Sequence, residues 1–197
     1  MNENSDSKSV IRRIENLKES SSAADVSAVC AESIQAMRLL GSHLVRALAK
    51  VDQANRQIIV EHLSTTGVLS HHDAAQMFES AHDGDLKFML ALLLAPSRRP
   101  EIEDWLLRSA REVPLNIGNA VAALRALSMY SHPSAAESAL AILLDHNNST
   151  LHWSDVTALL GVVEKRGDPI PANVLETLRL RHPGSIVGSA LDRLRVL

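Results

Sequence analysis

The sequence predicts an all-α protein in which an N-terminal helical hairpin or bundle continues into a solenoid of antiparallel helix pairs. The first observation is composition: 46% of the 197 residues are hydrophobic but only 3% are aromatic. Leu, Ala, Val and Ile must therefore form the core, and this mixture favours helix over sheet. The second is an apolar helical segment that recurs at intervals of 34, 35 and 32 residues, marked by Leu90, Leu124, Leu159 and Leu191. Such a period is typical of stacked helix pairs.

Residues 10–66 are predicted to form the N-terminal helical segment, preceded by a disordered tail at residues 1–9. The tail is polar and lacks the apolar core of a secretory signal. After it, apolar residues recur at intervals close to 3.6 residues: Val10, Ile14, Leu17, Val26, Cys30, Met37, Leu40, Leu44, Leu48, Val51, Ile59 and Leu63. Gly67 is expected to end the last of these helices in a left-handed conformation. Ser70 and Asp73 are expected to cap the next one.

Residues 67–197 are predicted to form the helical repeats, continuous with the N-terminal segment in one domain. Seven prolines, none of them before residue 96, punctuate this region. Three of them are placed to occupy the first turn of a second helix, where a missing backbone N–H removes no hydrogen bond: Pro100, Pro133 and Pro171. Ser154 is expected to cap a helix that starts at Asp155.

This order of helix, proline-bearing turn and second helix resembles the HEAT-like repeat proteins over residues 85–197. The resemblance rests on the proline-led second helices and on Ala-Leu-type blocks in the first helices. Those blocks are Met89-Leu90, Ala123-Leu124, Ala158-Leu159 and Ala190-Leu191. The resemblance implies a scaffold or adaptor that binds its partner on the concave face formed by the second helices.

The charge distribution argues against a general nucleic-acid binder. The chain has 20 Lys and Arg residues against 23 Asp and Glu residues, a net charge of −3. Nucleic-acid-binding proteins usually present a basic surface to phosphate. Residues 165–197 nevertheless carry six basic side chains against three acidic ones. Binding of nucleic acid through this basic C-terminal pole is therefore an alternative.

No residue pattern points to catalysis, to a metal site or to a cofactor. His71, His72 and His82 form the densest group of potential ligands. Their spacing does not place two of them together on one helical face, so we interpret them as solvated helix ends. Cys30 is the only cysteine, and its position on an apolar helical stripe predicts a buried structural thiol in a reducing compartment. The sequence therefore predicts a protein that is not an enzyme and needs no metal or cofactor.

Scarce aromatic residues mark the candidate partner-binding site. Trp105 and Trp153 each lie early in a predicted helix, and with Tyr130 they are candidates for binding hot spots. Three arginines are predicted to line the same face as Trp105: Arg108, Arg111 and Arg125. A surface of arginine and aromatic side chains suits an acidic peptide or protein partner.

These observations predict a non-catalytic protein–protein interaction module that acts as an adaptor, regulator or inhibitor. A bacterial secretion-associated substrate or regulator is an alternative, because residues 1–9 are rich in Ser and Asn. Self-association as a homodimer is also expected, through the unfinished repeat at residues 186–197 or the long helix at residues 24–51. The longest apolar run is too short to span a bilayer. We therefore expect a cytoplasmic protein, with secretion by a signal-peptide-independent route left open.

Overall fold

The computed structural model describes residues 3–35, 40–67, 69–112, 115–145 and 151–196. Within these ranges the fold is all-helical, which confirms the predicted class. The chain forms two compact units, Met1–Ser97 and Arg98–Leu197. The first unit contains α1 (Glu3–Glu15), α2 (Ala23–Gln35), α3 (Gly41–Ala47), α4 (Gln53–Thr66), α5 (His71–Ser80) and α6 (Gly84–Leu94). The second contains α7 (Pro100–Ser109), α8 (Ile117–Met129), α9 (Pro133–Leu144), α10 (Trp153–Arg166), α11 (Ala172–Arg181) and α12 (Ser185–Leu191).

Alternate helices contact each other throughout the first unit. α1 packs on α3 and α3 on α5, while α2 packs on α4 and α4 on α6. Neighbouring helices pack as well, most extensively α5 on α6. The aliphatic side chains between them are almost fully removed from water, and each contributes roughly 1.5–3 kcal/mol by that burial. They include Ile14, Leu40, Leu44, Leu48, Ile59, Leu63, Leu90 and Leu94.

Polar side chains satisfy the helix ends of the first unit. Asp52 accepts a hydrogen bond from the backbone N–H of Asn55 at 2.9 Å and caps α4. Gly67 ends the same helix with φ +65°, which confirms the predicted left-handed cap. Ser70 caps α5 by accepting from the N–H of Asp73, as predicted, and it also donates its hydroxyl hydrogen to the Asp73 carboxylate. Each contact supplies a partner for a backbone group that the helix itself leaves unpaired.

In the second unit, α8 and α10 are the central helices. α8 contacts α7, α9 and α10, and α10 contacts α9 and α12. α9 also contacts α11, so alternate helices meet here too. Leu and Ala supply most of the core, and the small alanines allow the helix backbones to approach one another closely. The core includes Leu106, Ala120, Ala123, Leu124, Leu127, Ala139, Leu159, Leu160, Leu178 and Leu191.

Proline begins the second helices, as the sequence predicts. Pro100 and Pro133 are the first residues of α7 and α9. Pro171 immediately precedes α11 and is its N-cap residue. Residues beyond α12 return to this point, where the backbone N–H of Ile170 donates to the carbonyl of Arg195 at 2.8 Å. That contact fixes the C-terminal segment against the start of α11.

The limits of the compact units differ from the predicted domain limits. The sequence places a boundary after residue 66 and one continuous domain beyond it, whereas the units divide after Ser97. The reason is tertiary, because α6 packs on α4 and α5 while α7 packs on α8. The predicted first repeat, α6 with α7, is therefore divided between the units. Residues 1–9, predicted to be a disordered tail, contribute to α1 from Glu3 onward.

Two further expectations concern the chain as a whole. None of the helices described is both long enough and apolar enough to cross a membrane. The single long helix predicted at residues 24–51 is wrong, because this stretch contains two helices, α2 and α3. Met37, one of its predicted members, lies outside the described residues.

Candidate functional site

Helices α8 and α10 form a groove on the second unit. We call it the α8–α10 groove, and its volume is about 450 Å³. It is lined by Arg125, Ser128, Met129, Ser154, Thr157, Ala158, Gly161, Val162 and Lys165. A smaller hollow of about 230 Å³ adjoins it at the turn before α9 and shares Ser128, Val162 and Lys165 with it.

Small side chains keep the α8–α10 groove open. Ala158 and Gly161 lie on the face of α10 that lines it, and Val162 is almost completely buried beneath it. A Cβ atom built at Gly161 would meet nothing within 4 Å. Packing therefore does not require glycine at this mid-helix position, where glycine costs about 1 kcal/mol relative to alanine. The absence of a side chain enlarges the groove.

The lining of the groove is positively charged. Arg125 on α8 and Lys165 on α10 line it, and no carboxylate does. Neither cation forms an ion pair within the described part of the chain. The carboxylate next to Lys165 in sequence is already paired, since Glu164 accepts from Arg193 Nε through both oxygens at 3.0 Å. The groove thus carries a local positive charge, although the protein as a whole has a net charge of −3.

Arg166 has a different role from its neighbour Lys165. Its guanidinium bonds to the Asp168 carboxylate and to the carbonyl of Pro133, and it lies 3.7 Å from a Glu137 oxygen. It therefore connects the end of α10 to the start of α9. Because these contacts occupy the guanidinium, Arg166 contributes to structure rather than to the unpaired charge of the groove.

Two histidines fix the helix starts that border the groove. His132 Nδ1 accepts from the backbone N–H of Ser134 at 3.3 Å and caps α9. His152 Nδ1 accepts from the N–H of Ser154 at 3.4 Å and caps α10, and lies 2.7 Å from the Ser154 hydroxyl. The predicted cap at Ser154 was therefore wrong by two residues. A His-Xaa-Ser sequence before each helix was the signal available.

Exposed apolar side chains lie at or beside the same groove. Met129 is 63% exposed and lines it. Trp153, at the first position of α10, is 52% exposed and directly precedes the groove residue Ser154 in sequence. Its indole lies 5.3 Å from the ring of His152, centroid to centroid, at an angle of 41°. Exposed Trp and Met side chains are enriched where proteins bind other proteins.

The structure separates the predicted partner-binding residues. Trp105 is half-buried on α7, and Tyr130 is half-buried at the C-cap of α8. Arg108 and Arg111 line a second, shallow depression along α7 with Asp104 and Leu107. Arg125 lines the α8–α10 groove instead, and the two depressions share no residue. The predicted common face of Arg125 with Arg108 and Arg111 is therefore not formed.

Arg111 is engaged in the packing of the unit. Its Nε and Nη2 atoms donate to the hydroxyl of Ser138 at 3.0 and 2.7 Å. Ser138 is buried on α9 and donates in turn to the carbonyl of Ser134. Arg108 makes only a 3.4 Å contact with the carbonyl of Asp104, one turn earlier on its own helix. Of the two, Arg108 is the one whose charge is available to a partner.

The first unit carries perturbed acidic groups in structural positions. Hydrogen bonds from Ser42 and Ser70, together with Arg46 at 3.2 Å, lower the pKa of Asp73 to about 2. Arg56 donates to Asp83 at 2.6 Å and lowers the pKa of that carboxyl group. Both acids also serve helix starts, so these contacts stabilise the fold.

The remaining chemically reactive groups of the first unit are placed as the sequence suggests. Burial raises the pKa of the Cys30 thiol to about 11, and the residue is 3% exposed, as predicted for a structural thiol. His71, His72 and His82 are exposed. No group of three or more His, Cys, Asp or Glu residues within the described ranges could hold a metal ion.

Comparison with known proteins supplies no family. The chain matches no family model, no curated protein sequence and no solved structure. The function of this chain is therefore inferred from its own geometry and charge.

Proposed function

We propose that this protein is a non-catalytic protein–protein interaction module, an adaptor, regulator or inhibitor, with HEAT-like architecture. The packing of alternate helices supports the architecture, since α8 contacts α10, α10 contacts α12, and α9 contacts α11. Stacked helix pairs make such contacts between equivalent helices of successive pairs. The first unit has the same pattern, since α1 contacts α3, α3 contacts α5, α2 contacts α4 and α4 contacts α6. The proposed repeats therefore include the N-terminal half.

One observation carries the functional proposal, namely the α8–α10 groove with exposed apolar side chains beside it. Met129 and Trp153 are both more than half exposed, although aromatic residues make up only 3% of the chain. Leaving such side chains in water has no benefit for folding, whereas burying them against a partner is favourable. Arg108 and Trp105 on α7 belong to a second candidate surface, as the sequence suggests.

This placement moves the proposed binding face from the second helices to the first ones. The resemblance implies binding by the second helices, here α7, α9 and α11. The groove lies between α8 and α10, two first helices. Trp105 and Arg108 on α7, with Arg111 just beyond it, stay candidates for the second-helix face, and Tyr130 at the C-cap of α8 stays a candidate of its own.

Nucleic-acid binding through the basic C-terminal pole is less well supported. Four of its six basic side chains already have partners within the described residues. Arg166 pairs with Asp168, Arg179 with Asp192, Arg193 with Glu164, and Arg181 donates to the carbonyl of Leu144. A side chain already bonded to a carboxylate neutralises phosphate poorly. The alternative of a secretion-associated protein stays a prediction, as does a homodimer.

Affinity capture from lysate of the source organism tests the proposal, with the intact protein as bait and mass spectrometry as the readout. We expect one protein recovered in stoichiometric amount. Two variants locate the surface: Met129→Ala on the first-helix face and Leu180→Ala on α11. Leu180→Ala tests the second-helix face with a matched change, because Leu180 is also a largely exposed apolar side chain, 77% exposed.

Each outcome of the capture has a distinct meaning. Loss of the partner with Met129→Ala alone supports the groove, and loss with Leu180→Ala alone supports a second-helix face. Recovery of nucleic acid, or of no protein other than the bait, would contradict the interaction module.

A further inference from the structure

We infer that the α8–α10 groove binds an extended, acidic segment of a partner protein, with its carboxylates paired to Arg125 and Lys165. This inference rests on the proposed function and specifies the chemistry of the partner. It is argued from the charge of the groove, from the hydrogen-bonding state of its hydroxyl groups and from its apolar floor.

Several other arginines of the second unit are already bonded to side chains of the protein. Arg166, Arg179 and Arg193 each form an ion pair with a carboxylate, and Arg111 is bonded to Ser138. Arg125 and Lys165, by contrast, have no such partner among the described residues, and they line one groove that contains no acid. A groove with this lining attracts a carboxylate-bearing segment and repels a basic one.

The hydroxyl groups of the groove offer acceptors rather than donors. The Ser128 hydroxyl donates to the carbonyl of Arg125 at 2.8 Å, and the Thr157 hydroxyl donates to the carbonyl of Ser154 at 3.0 Å. Their single hydrogens are therefore used by the helices, and their oxygen lone pairs are left as acceptors. An extended peptide presents free backbone N–H groups that match such acceptors, whereas a helix uses its N–H groups internally.

The apolar part of the groove lining also suits an extended chain. Ala158, Gly161 and the buried Val162 form an apolar floor, and the exposed Met129 also lines the groove. A peptide that alternates acidic and apolar residues would direct its apolar side chains to that floor and its carboxylates to the two cations. The same lining fits nucleic acid poorly, because it has only two cations without an ion-pair partner among the described residues.

Fluorescence anisotropy with synthetic probes tests this inference on the full-length protein. The acidic probe is a labelled peptide of about 12 residues that repeats Glu-Leu-Glu-Ser, an extended segment of the proposed kind. The control peptide replaces every Glu with Lys, and a labelled oligo-dT of similar length represents nucleic acid. We expect the acidic peptide to bind, with affinity falling as salt rises from about 50 to about 300 mM, and the Lys peptide not to bind.

Two charge-reversal variants assign the binding to the groove. Arg125→Glu with Lys165→Glu should weaken binding of the acidic peptide by about tenfold or more. Lys18→Glu with Arg195→Glu is the matched control, because it changes the net charge by the same amount. Both of these residues are exposed and lie outside the groove lining. We expect this control to change the affinity less than about twofold, since distant surface charges are screened. Circular dichroism confirms that both double variants keep their helical content.

Failure of this inference is distinguishable from failure of the proposed function. Absence of acidic-peptide binding, equal binding by the groove variant, or tighter binding of oligo-dT would each overturn the inference. If the groove variant still captures the stoichiometric partner that the native protein captures, the interaction module stands but uses another surface. If the native protein captures no partner, the proposed function itself fails.

Discussion

His182 and Leu143 join the ends of two helices that are 39 residues apart in sequence. The imidazole Nε2 of His182 donates to the carbonyl of Leu143 at 3.0 Å, and both residues are buried. Arg181 donates to the neighbouring carbonyl of Leu144. The end of α11 therefore supplies partners for two terminal carbonyls of α9, which have none within their own helix.

A similar arrangement recurs in the first unit. Lys50 Nζ donates to the carbonyl of Glu15 at the end of α1, and Arg56 Nε donates to the carbonyl of Leu48 after α3 at 2.9 Å. A basic side chain placed at a helix C-terminus also interacts favourably with the helix dipole. Some of the basic residues of this protein therefore have a structural role at helix C-termini.

Replacing His182 with alanine should destabilise the protein by about 1–2 kcal/mol, because it leaves the buried Leu143 carbonyl without this donor and removes a buried ring. Urea denaturation followed by circular dichroism measures the change. His82→Ala is the matched control, since His82 is exposed, and we expect less than about 0.5 kcal/mol from it. Equal effects of the two substitutions would contradict the capping role.

Gly161→Ala should stabilise the protein by about 0.5–1 kcal/mol. The new methyl group meets open space at this mid-helix position, and alanine loses less backbone entropy than glycine on folding. Gly167→Ala is the opposite case, because Gly167 ends α10 with φ +73°, a left-handed conformation that alanine rarely adopts. This substitution should destabilise the protein by about 1 kcal/mol. Thermal unfolding of both variants checks the sign. Destabilisation by Gly161→Ala would mean that the groove is closed at this point.

Arg111→Ala should destabilise the second unit by about 0.5–1.5 kcal/mol, because two hydrogen bonds to the buried Ser138 hydroxyl are lost. Arg108→Ala should change stability by less than about 0.5 kcal/mol, since Arg108 makes only a 3.4 Å contact with a carbonyl of its own helix. The free energy of unfolding in urea distinguishes the two. If Arg111→Ala left stability unchanged, Arg111 would be available for binding in the way that the sequence suggests.

Acid should weaken the first unit through Asp73. The pKa of this carboxyl group is about 2 in the folded protein, against an ordinary value of 3.8. Since folding lowers the pKa, the contribution to stability is complete above the ordinary value and is lost as the pH falls toward 2. Asp73→Asn should therefore cost about 1 kcal/mol at neutral pH, an effect limited by solvent screening at this partly exposed side chain.

The pH dependence gives the decisive comparison for Asp73. Between about pH 5 and pH 2, the stability of the native protein should fall more steeply than that of Asp73→Asn. Asp85→Asn serves as the control, because Asp85 is an exposed carboxylate, and its curve should follow that of the native protein. Parallel curves for the native protein and Asp73→Asn would rule out the proposed linkage.

Some helix ends were predictable because their signals are local. Gly67 ends α4, Ser70 caps α5, and Pro100 begins α7, each as the sequence indicates. The signal in each case is one residue with a strong conformational preference, placed next to a periodic apolar segment. The caps at His132 and His152 were missed, because histidine is not among the residues usually associated with helix starts.

The candidate groove was not predictable in the same way. Arg125 was singled out, but Lys165, which lines the same groove, was assigned only to the basic C-terminal pole. The two lie 40 residues apart in sequence, and no periodicity connects positions on different helices. Likewise, the sequence gives no sign that Arg111 is occupied by Ser138.

The sequence by itself determined the all-α class, the punctuation of the second half by proline and the apolar face of each helix. These properties depend on interactions within a few residues, where helical periodicity and backbone preference act directly. Only the tertiary structure decided which helices pack together, where the compact units divide and which charged side chains are paired. Those outcomes depend on contacts between distant segments. The fold places the Asp168 carboxylate beside Arg166, which therefore has a structural role. It places no such carboxylate beside Lys165 in the groove lining, so Lys165 is available to a partner.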